Sequence, residues 1–238
     1  MNITGKIRFR INSFLNFHLF QKRGIPKVKN EQVSKSVMRK YLPDNPVIID
    51  CGAHIGNDSI ELNRICNATV HAFEPVHEIF DRLQKNTARY KNIHCYRIAL
   101  SDRSGRQHFF VSRGGSDASS SLLEPKEHLI DHPDTSFDLK IEVDTLTLDD
   151  WAAQHNIAKV DMLWLDMQGF EMNMLKESAV ILPTVKVIHT EVSTKETYKA
   201  VNLYKDFSRF LKGKGFETLI EAIPAGADMG NVVFIKTK

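Results

Sequence analysis

From Pro46 onward, short apolar runs alternate with longer segments whose apolar positions recur at three- and four-residue spacing. Runs near 47–52, 69–74, 93–99, 161–166, 185–191, 217–223 and 231–236 predict strands. Helical periodicity predicts helices near 31–41, 57–66, 76–90, 148–156, 170–178 and 197–213, the last stopped by Gly213 and Gly215. Regular alternation of the two kinds of element is the signature of an α/β fold, a mostly parallel sheet with helices on both faces. The last two strands are joined only by Pro224 to Gly230, long enough for a hairpin and too short for a crossover, so the final strand is expected to run antiparallel.

Two segments break the rhythm. Between the third and fourth strands, residues 101–147 form a long, largely polar stretch containing the run Gly114-Gly115-Ser116-Asp117-Ala118-Ser119-Ser120-Ser121. It is too long for a plain connection, and over the carboxyl ends of the strands it would act as a substrate lid. The other segment is residues 1–30, in which Lys6, Arg8, Arg10, Lys22, Arg23, Lys27 and Lys29 meet no acid. The whole chain has a net charge of +3, so the body beyond this basic arm is mildly acidic. The arm's uncharged stretch is too short to span a bilayer and lacks a small-residue cleavage site. A basic, phenylalanine-rich helix suits packing on the main domain, packing on a second copy in a homodimer, or peripheral contact with an anionic membrane. The organisation read is an arm over 1–30 followed by one catalytic domain over 31–238.

Composition sets outer limits. With 238 residues, 42% hydrophobic and 26% charged, the chain has the balance of one folded domain and not of a disordered or repetitive one. Cys51, Cys66 and Cys95 show no CxxC spacing and are odd in number, which excludes a disulfide framework and points to a reducing, cytoplasmic setting. An acidic body is a poor grip for nucleic acid.

Chemistry begins at Val47-Ile48-Ile49-Asp50-Cys51-Gly52-Ala53-His54-Ile55-Gly56, a strand running through a glycine turn into a helix. Gly52 and Gly56 would let the backbone approach a ligand. The middle glycine of a dinucleotide fingerprint is missing, and no GxxxxGK[ST] occurs for a triphosphate. Glu74 follows Gly52 by 22 positions, ending the next strand, where a carboxylate can accept from both hydroxyls of a ribose. S-adenosylmethionine, which carries no pyrophosphate, fits best: Asp50 and the amides of Gly52, Ala53 and His54 would serve its methionine end.

The chain resembles the FkbM-type family of S-adenosylmethionine-dependent methyltransferases. The resemblance rests on Ile49-Asp50-Cys51-Gly52-Ala53-His54-Ile55-Gly56, Phe73-Glu74-Pro75, Ala99-Leu100-Ser101-Asp102, Ser119-Ser120-Ser121-Leu122 and Val143-Asp144-Thr145-Leu146-Thr147-Leu148-Asp149-Asp150-Trp151. It continues through Asp166-Met167-Gln168-Gly169-Phe170-Glu171 and His189-Thr190-Glu191-Val192. The commonest family form has Asn where His54 stands, and residues 1–46 lie outside the resemblance. It implies the class I methyltransferase fold, a Rossmann-like seven-stranded sheet whose last strand runs antiparallel beside the fifth. By position it implies Asp50, Gly52, Ala53, His54 and Gly56 for the methionine end, Glu74 for the ribose and Asp102 for the adenine amino group.

Methyl transfer to an alcohol needs alignment and a base. Asp166, ending an apolar strand, is the first choice for that base, against a competing reading as cap of the helix near Phe170. Glu191 and His189 share a strand face and are the further catalytic candidates. Ser119, Ser120, Ser121 and Gln168 are candidates for holding a polyhydroxylated acceptor. Two carboxylates at neighbouring strand ends also raise a divalent metal, but a further adjacent acid or Asn is missing, so no metal is expected. The activity expected is O-methyl transfer to a hydroxyl of a small molecule or glycan, most plausibly a sugar. Two other readings stand beside it: RNA methylation, disfavoured by the acidic body and the lack of an Asn-Pro-Pro-Tyr motif, and a non-catalytic cofactor-binding interaction protein.

Overall fold

The computed structural model describes residues 33–126 and 133–237. The arm at 1–30 and the part of the first helix before Val33 lie outside the described residues. The main sheet comprises β1 (Val47–Cys51), β2 (Thr69–Phe73), β3 (Ile93–Tyr96), β7 (Met162–Leu165), β8 (Val187–Ser193), β9 (Phe216–Ala222) and β10 (Met229–Lys236). Their order is β3-β2-β1-β7-β8-β10-β9. The first five are parallel neighbours, and β10 is antiparallel to both β8 and β9. Central strands read as continuous apolar runs because both of their faces are covered: Ile49, Leu163 and Ile188 belong to the core on one side, Ile48, Met162 and Val187 to that on the other.

The helices are α1 (Lys35–Met38), α2 (Asn57–Cys66), α3 (His77–Thr87), α4 (Leu148–Gln154), α5 (Glu171–Lys176) and α6 (Tyr204–Gly213). α4 starts where expected because Thr147 Oγ1 accepts from the Asp150 amide at 3.0 Å, an N-cap that satisfies an otherwise orphaned donor. Three expectations are corrected. The first helix is a single turn continued by a 3-10 turn over Arg39–Tyr41. The helix expected over 197–213 begins only at Tyr204, because Ala200 takes a left-handed φ of 57° and Tyr198 turns inward to pair with Pro125. The third strand stops at Tyr96, and Ala99–Leu100 forms β4 in a second sheet.

The stretch expected as a polar lid is built as this second sheet. β5 (Gly105–Gly114) and β6 (Thr135–Leu146) form a long antiparallel hairpin, and β4 pairs parallel with β6. Its inner face carries Phe109, Val111 and Val143, which pack on Val76, Ile79 and Ala99. The serine run beyond β5 is fixed rather than loose. Ser121 exchanges two backbone hydrogen bonds with Phe110, at 2.8 and 3.0 Å, and the chain beyond it meets the 197–199 segment through Lys126 N to Thr197 O and Lys199 N to Glu124 O. Among the described residues no helix is long and apolar enough to cross a membrane.

Candidate functional site

The site is built at the carboxyl ends of β1, β2 and β7. Gly52 has a φ of 78°, and a Cβ there would lie 1.9 Å from the carbonyl oxygen of Asp166, so only glycine allows the turn to pack on the end of β7. Asp166 N in turn donates to Cys51 O at 3.0 Å. The expectation that the Gly52–His54 amides face a ligand is corrected: Gly52 N and Ala53 N both donate to Phe73 O, at 3.1 and 3.0 Å, and His54 N donates to Glu74. Those donors clamp the end of β1 to that of β2 and are spent on the turn itself.

Above this turn lies a cavity. Gly52, His54 and Glu74 line one side and Asp166 the end beside β7. Apolar surface comes from residues that include Phe73, Ile98, Phe109 and Phe170, and the second sheet and its serine run close the remaining side through Asp117, Ala118 and Ser120. Three lining residues are acids and none is Lys or Arg. Such a lining repels the pyrophosphate of a dinucleotide and suits an organic cation with an apolar body. S-adenosylmethionine, with its sulfonium and ammonium groups, meets that requirement.

The acids are tuned by burial. Desolvation raises the Glu74 carboxyl to about 7, against the lowering effect of the amides of Val76, at 2.9 Å, and His54. Asp50 is likewise raised to about 7, first by burial, with the Ser59 hydroxyl bond acting against it. Asp50 points under α2 and does not line the cavity, a correction to a direct methionine contact. Its Oδ2 accepts from Ser59, and its buried Oδ1 has no hydrogen-bond partner. Ala53 and Gly56 shape the turn and also do not line the cavity, and a Cβ at Gly56 would lie 2.7 Å from Leu83 Cδ1. Asp102 stands outside the lining too, accepting from Ser101 Oγ at 3.2 Å, whereas its neighbours Ala99 and Leu100 reach the cavity.

Asp166 and Glu191 come together as the sequence suggested, through an unforeseen bridge. Gln168 Nε2 donates to Asp166 Oδ1 at 2.8 Å and to Glu191 Oε2 at 2.9 Å. The Tyr198 hydroxyl lies 3.0 Å from Gln168 Oε1 and 2.8 Å from Ser119 O, as donor to both. Gln168 is therefore a buried strut instead of the acceptor ligand expected, and it holds a left-handed φ of 52° to serve as one. The capping reading of Asp166 is overturned by Glu171, whose Oε1 accepts from the amides of Met167, at 2.8 Å, and Gly169, at 3.3 Å, at the start of α5. Burial raises the carboxyls of both Asp166 and Glu171, the latter to about 7.

His189 does not reach the cavity. Its ring lies flat on Trp164, centroids 3.5 Å apart, and burial followed by the Lys35 charge lowers its pKa to about 3, so it is a neutral core residue. Lys35 covers the other part of this column, 4.4 Å from the Trp164 ring centroid and paired to Asp58 and Glu61. Of the serines, only Ser120 lines the cavity. Ser121 Oγ is buried and donates to Gln168 O at 2.9 Å, and Ser119 Oγ donates to Ser116 Oγ. Sequence reasoning missed Tyr198 and Asp117. The latter accepts from His54 Nε2 at 2.9 Å and from Arg82 Nη1 at 3.0 Å. Among the described residues no group of three or more His, Cys, Asp or Glu could hold a metal ion.

Comparison with known proteins agrees with this geometry. Residues 50–218 match the family model described as the methyltransferase FkbM domain. The 2-O-methyltransferase NoeI of Sinorhizobium fredii (strain NBRC 101917 / NGR234) is 30% identical over 213 residues, covering 87% of this chain and 86% of NoeI. Among solved structures, magnesium protoporphyrin IX methyltransferase from Synechocystis PCC 6803 with bound S-adenosylmethionine superposes with a TM-score of 0.50 at 13% identity, over 85% of this chain and 74% of that one. The fibrillarin pre-rRNA processing protein of Methanococcus jannaschii superposes with a TM-score of 0.51 at 15% identity, over 87% and 71%. These two share the class I methyltransferase sheet and, at such identity, speak to the fold alone. A glycine turn beneath a cation-seeking cavity, on this sheet and with a family match over most of the chain, identifies the protein as a member of the FkbM methyltransferase family and an S-adenosylmethionine-dependent methyltransferase.

Proposed function

We propose that the protein transfers a methyl group to a hydroxyl oxygen of a small molecule or glycan, most plausibly a sugar. The observation that carries the proposal is Asp166: a carboxylate raised by burial, lining the cavity beside the glycine turn and held to Glu191 through Gln168. S-adenosylmethionine supplies an electrophilic methyl on a good leaving group, so the chain's own residues have only to bind, align and deprotonate. Glu74 would accept from the ribose hydroxyls, and Asp50, though out of contact, adds negative potential at the methionine end. Asp166 Oδ2 would take the hydroxyl proton as the methyl–sulfur bond breaks and the carbon–oxygen bond forms, leaving S-adenosylhomocysteine. A carboxylate with a raised pKa is the better proton acceptor for this task. Glu191, which does not line the cavity, would hold Asp166 in place through the same amide. The name of NoeI, a 2-O-methyltransferase, supports oxygen as the receiving atom.

The acidic cavity and the neutral Gln168 strut give no ground for a phosphate-rich acceptor, and nucleic acid remains the disfavoured reading. The test is methyl transfer from labelled S-adenosylmethionine to a panel of free sugars, nucleotide sugars and glycolipid headgroups, with transfer RNA and ribosomal RNA as comparison. Label on a sugar oxygen is expected. Label on RNA alone would overturn the proposal, and cofactor binding without transfer to any acceptor would favour a non-catalytic interaction protein.

A further inference from the structure

The cavity is closed by a residue that no cofactor motif contains. Asp117 sits in the turn after β5, within the second sheet's connection, and its carboxylate is shared between two separate elements below. Oδ1 accepts from His54 on the glycine turn at 2.9 Å, and Oδ2 accepts from Arg82 on α3 at 3.0 Å. Burial alone would push its carboxyl up, but the Arg82 and His54 bonds outweigh it and hold the carboxyl below the usual range. Asp117 and its neighbours Ala118 and Ser120 line the cavity opposite Gly52 and Glu74, so these two bonds tie the roof to the floor.

We propose that Asp117 is the clasp of the cofactor cavity, a positioning residue whose paired bonds to His54 and Arg82 must part before cofactor or product exchanges. The proposal rests on the reading that this cavity holds S-adenosylmethionine. The rest of the roof is anchored away from the mouth: Ser121 is bonded to Phe110 and Gln168, and Ser119 to Tyr198. Opening is thereby concentrated at residues 114–118, beside Gly114 and Gly115. Gly114 holds a φ of 84° with a Cβ position 2.4 Å from Asp134 O, a close approach that sets a tight hinge at the end of β5. The clasp bonds are half-exposed, with Arg82 at 54% and Asp117 at 49% side-chain exposure. Pairs of that kind are weak enough to break during each catalytic cycle. Both bonds join protein groups to one another, so the clasp acts on exchange rates rather than on affinity.

The test is rapid-mixing kinetics of S-adenosylhomocysteine with the full chain, comparing wild type, Asp117→Ala, Arg82→Gln and the double variant. Arg82 does not line the cavity, so any effect of its substitution must come through Asp117. Arg82→Gln is expected to raise the association and dissociation rate constants together by about fivefold, with Kd unchanged, and Asp117→Ala to raise both at least as much. The double variant is expected to be no faster than Asp117→Ala. Added salt should speed exchange in wild type and leave Asp117→Ala unaffected. Unaltered rates in Arg82→Gln would overturn the clasp, as would a rise in dissociation alone in that variant. Failure of wild type to bind S-adenosylhomocysteine would overturn the cofactor reading and the clasp with it.

Discussion

The Tyr198 hydroxyl stands 3.0 Å from the carbonyl oxygen of the Gln168 side chain and so fixes which end of that amide faces the carboxylates of Asp166 and Glu191. Were the amide reversed, an oxygen would confront two acids. Oriented by Tyr198, its nitrogen gives one N–H to each acid.

Gln168→Glu preserves size but replaces that donor by a third acid. It is expected to destabilise the fold by about 3 kcal/mol at pH 8, and by less at pH 5, where the new carboxyl can keep a proton and donate it. Tyr198→Phe should cost about 1 kcal/mol at both pH values. Urea unfolding at the two pH values checks this, and a Gln168→Glu penalty that is equal at both would contradict the strut.

Cofactor binding should depend on pH. With Glu74 and Asp50 raised to about 7 by burial, each carries a proton much of the time at pH 6.5 in the free protein. A cationic ligand favours their ionised forms, so binding releases protons and tightens as pH rises through 7, then levels off once both groups are ionised. Calorimetry at pH 6.5 in buffers of different ionisation enthalpy should reveal release of on the order of one proton. Absence of any buffer dependence would mean these acids do not sense the ligand.

His189 gives fold stability a pH dependence of the same sign. Its folded pKa of about 3 lies below the unfolded value near 6.5, so its contribution is complete above pH 6.5 and is lost as pH falls. Between pH 7 and pH 5 the loss is about 2 kcal/mol. His189→Phe keeps a ring against Trp164 but has no proton to gain, so the stability difference between variant and wild type should shift in the variant's favour by that amount. A constant difference would contradict a neutral, buried His189.

Gly52→Ala is expected to abolish cofactor binding and to destabilise the protein by more than about 3 kcal/mol, since its Cβ would overlap the Asp166 carbonyl at a left-handed φ. Gly213→Ala, where nothing stands within 4 Å, should be neutral or stabilising by about 0.5 kcal/mol. Thermal melts and cofactor titration of the two variants check the contrast.

The parallel strands were legible because their burial on both faces leaves unbroken apolar runs, and the hairpin of β9 and β10 because a short link admits no crossover. The β5–β6 hairpin was masked by its half-exposed faces and by the Gly-Ser tip, although Phe109, Val111, Ile141 and Val143 alternate as strand residues do. Motif spacing brought Asp166 to the turn that carries Gly52 and Glu74 to the same cavity. It could not reveal that the turn's amides were already engaged, because that depends on Phe73 O and Glu74 across the strand ends. Tyr198 and Asp117 act through partners 30 to 79 residues away, contacts that leave no local pattern. His189 was misjudged because strand alternation gives its face but not its depth, and two positions below the edge that face is core.

The most direct test of the central claim is a comparison of wild type with Asp166→Asn, using S-adenosylmethionine carrying a carbon-13 methyl and a sugar acceptor found in the panel. Asparagine keeps the bond from Gln168 through its side-chain oxygen, so cofactor affinity should stay close to wild type. Transfer should fall by about 10²- to 10⁴-fold, the span typical of a lost general base, and the methyl resonance of the wild-type product should be that of an ether oxygen. Transfer by Asp166→Asn at the wild-type rate, or a methyl on nitrogen or carbon, would contradict the account.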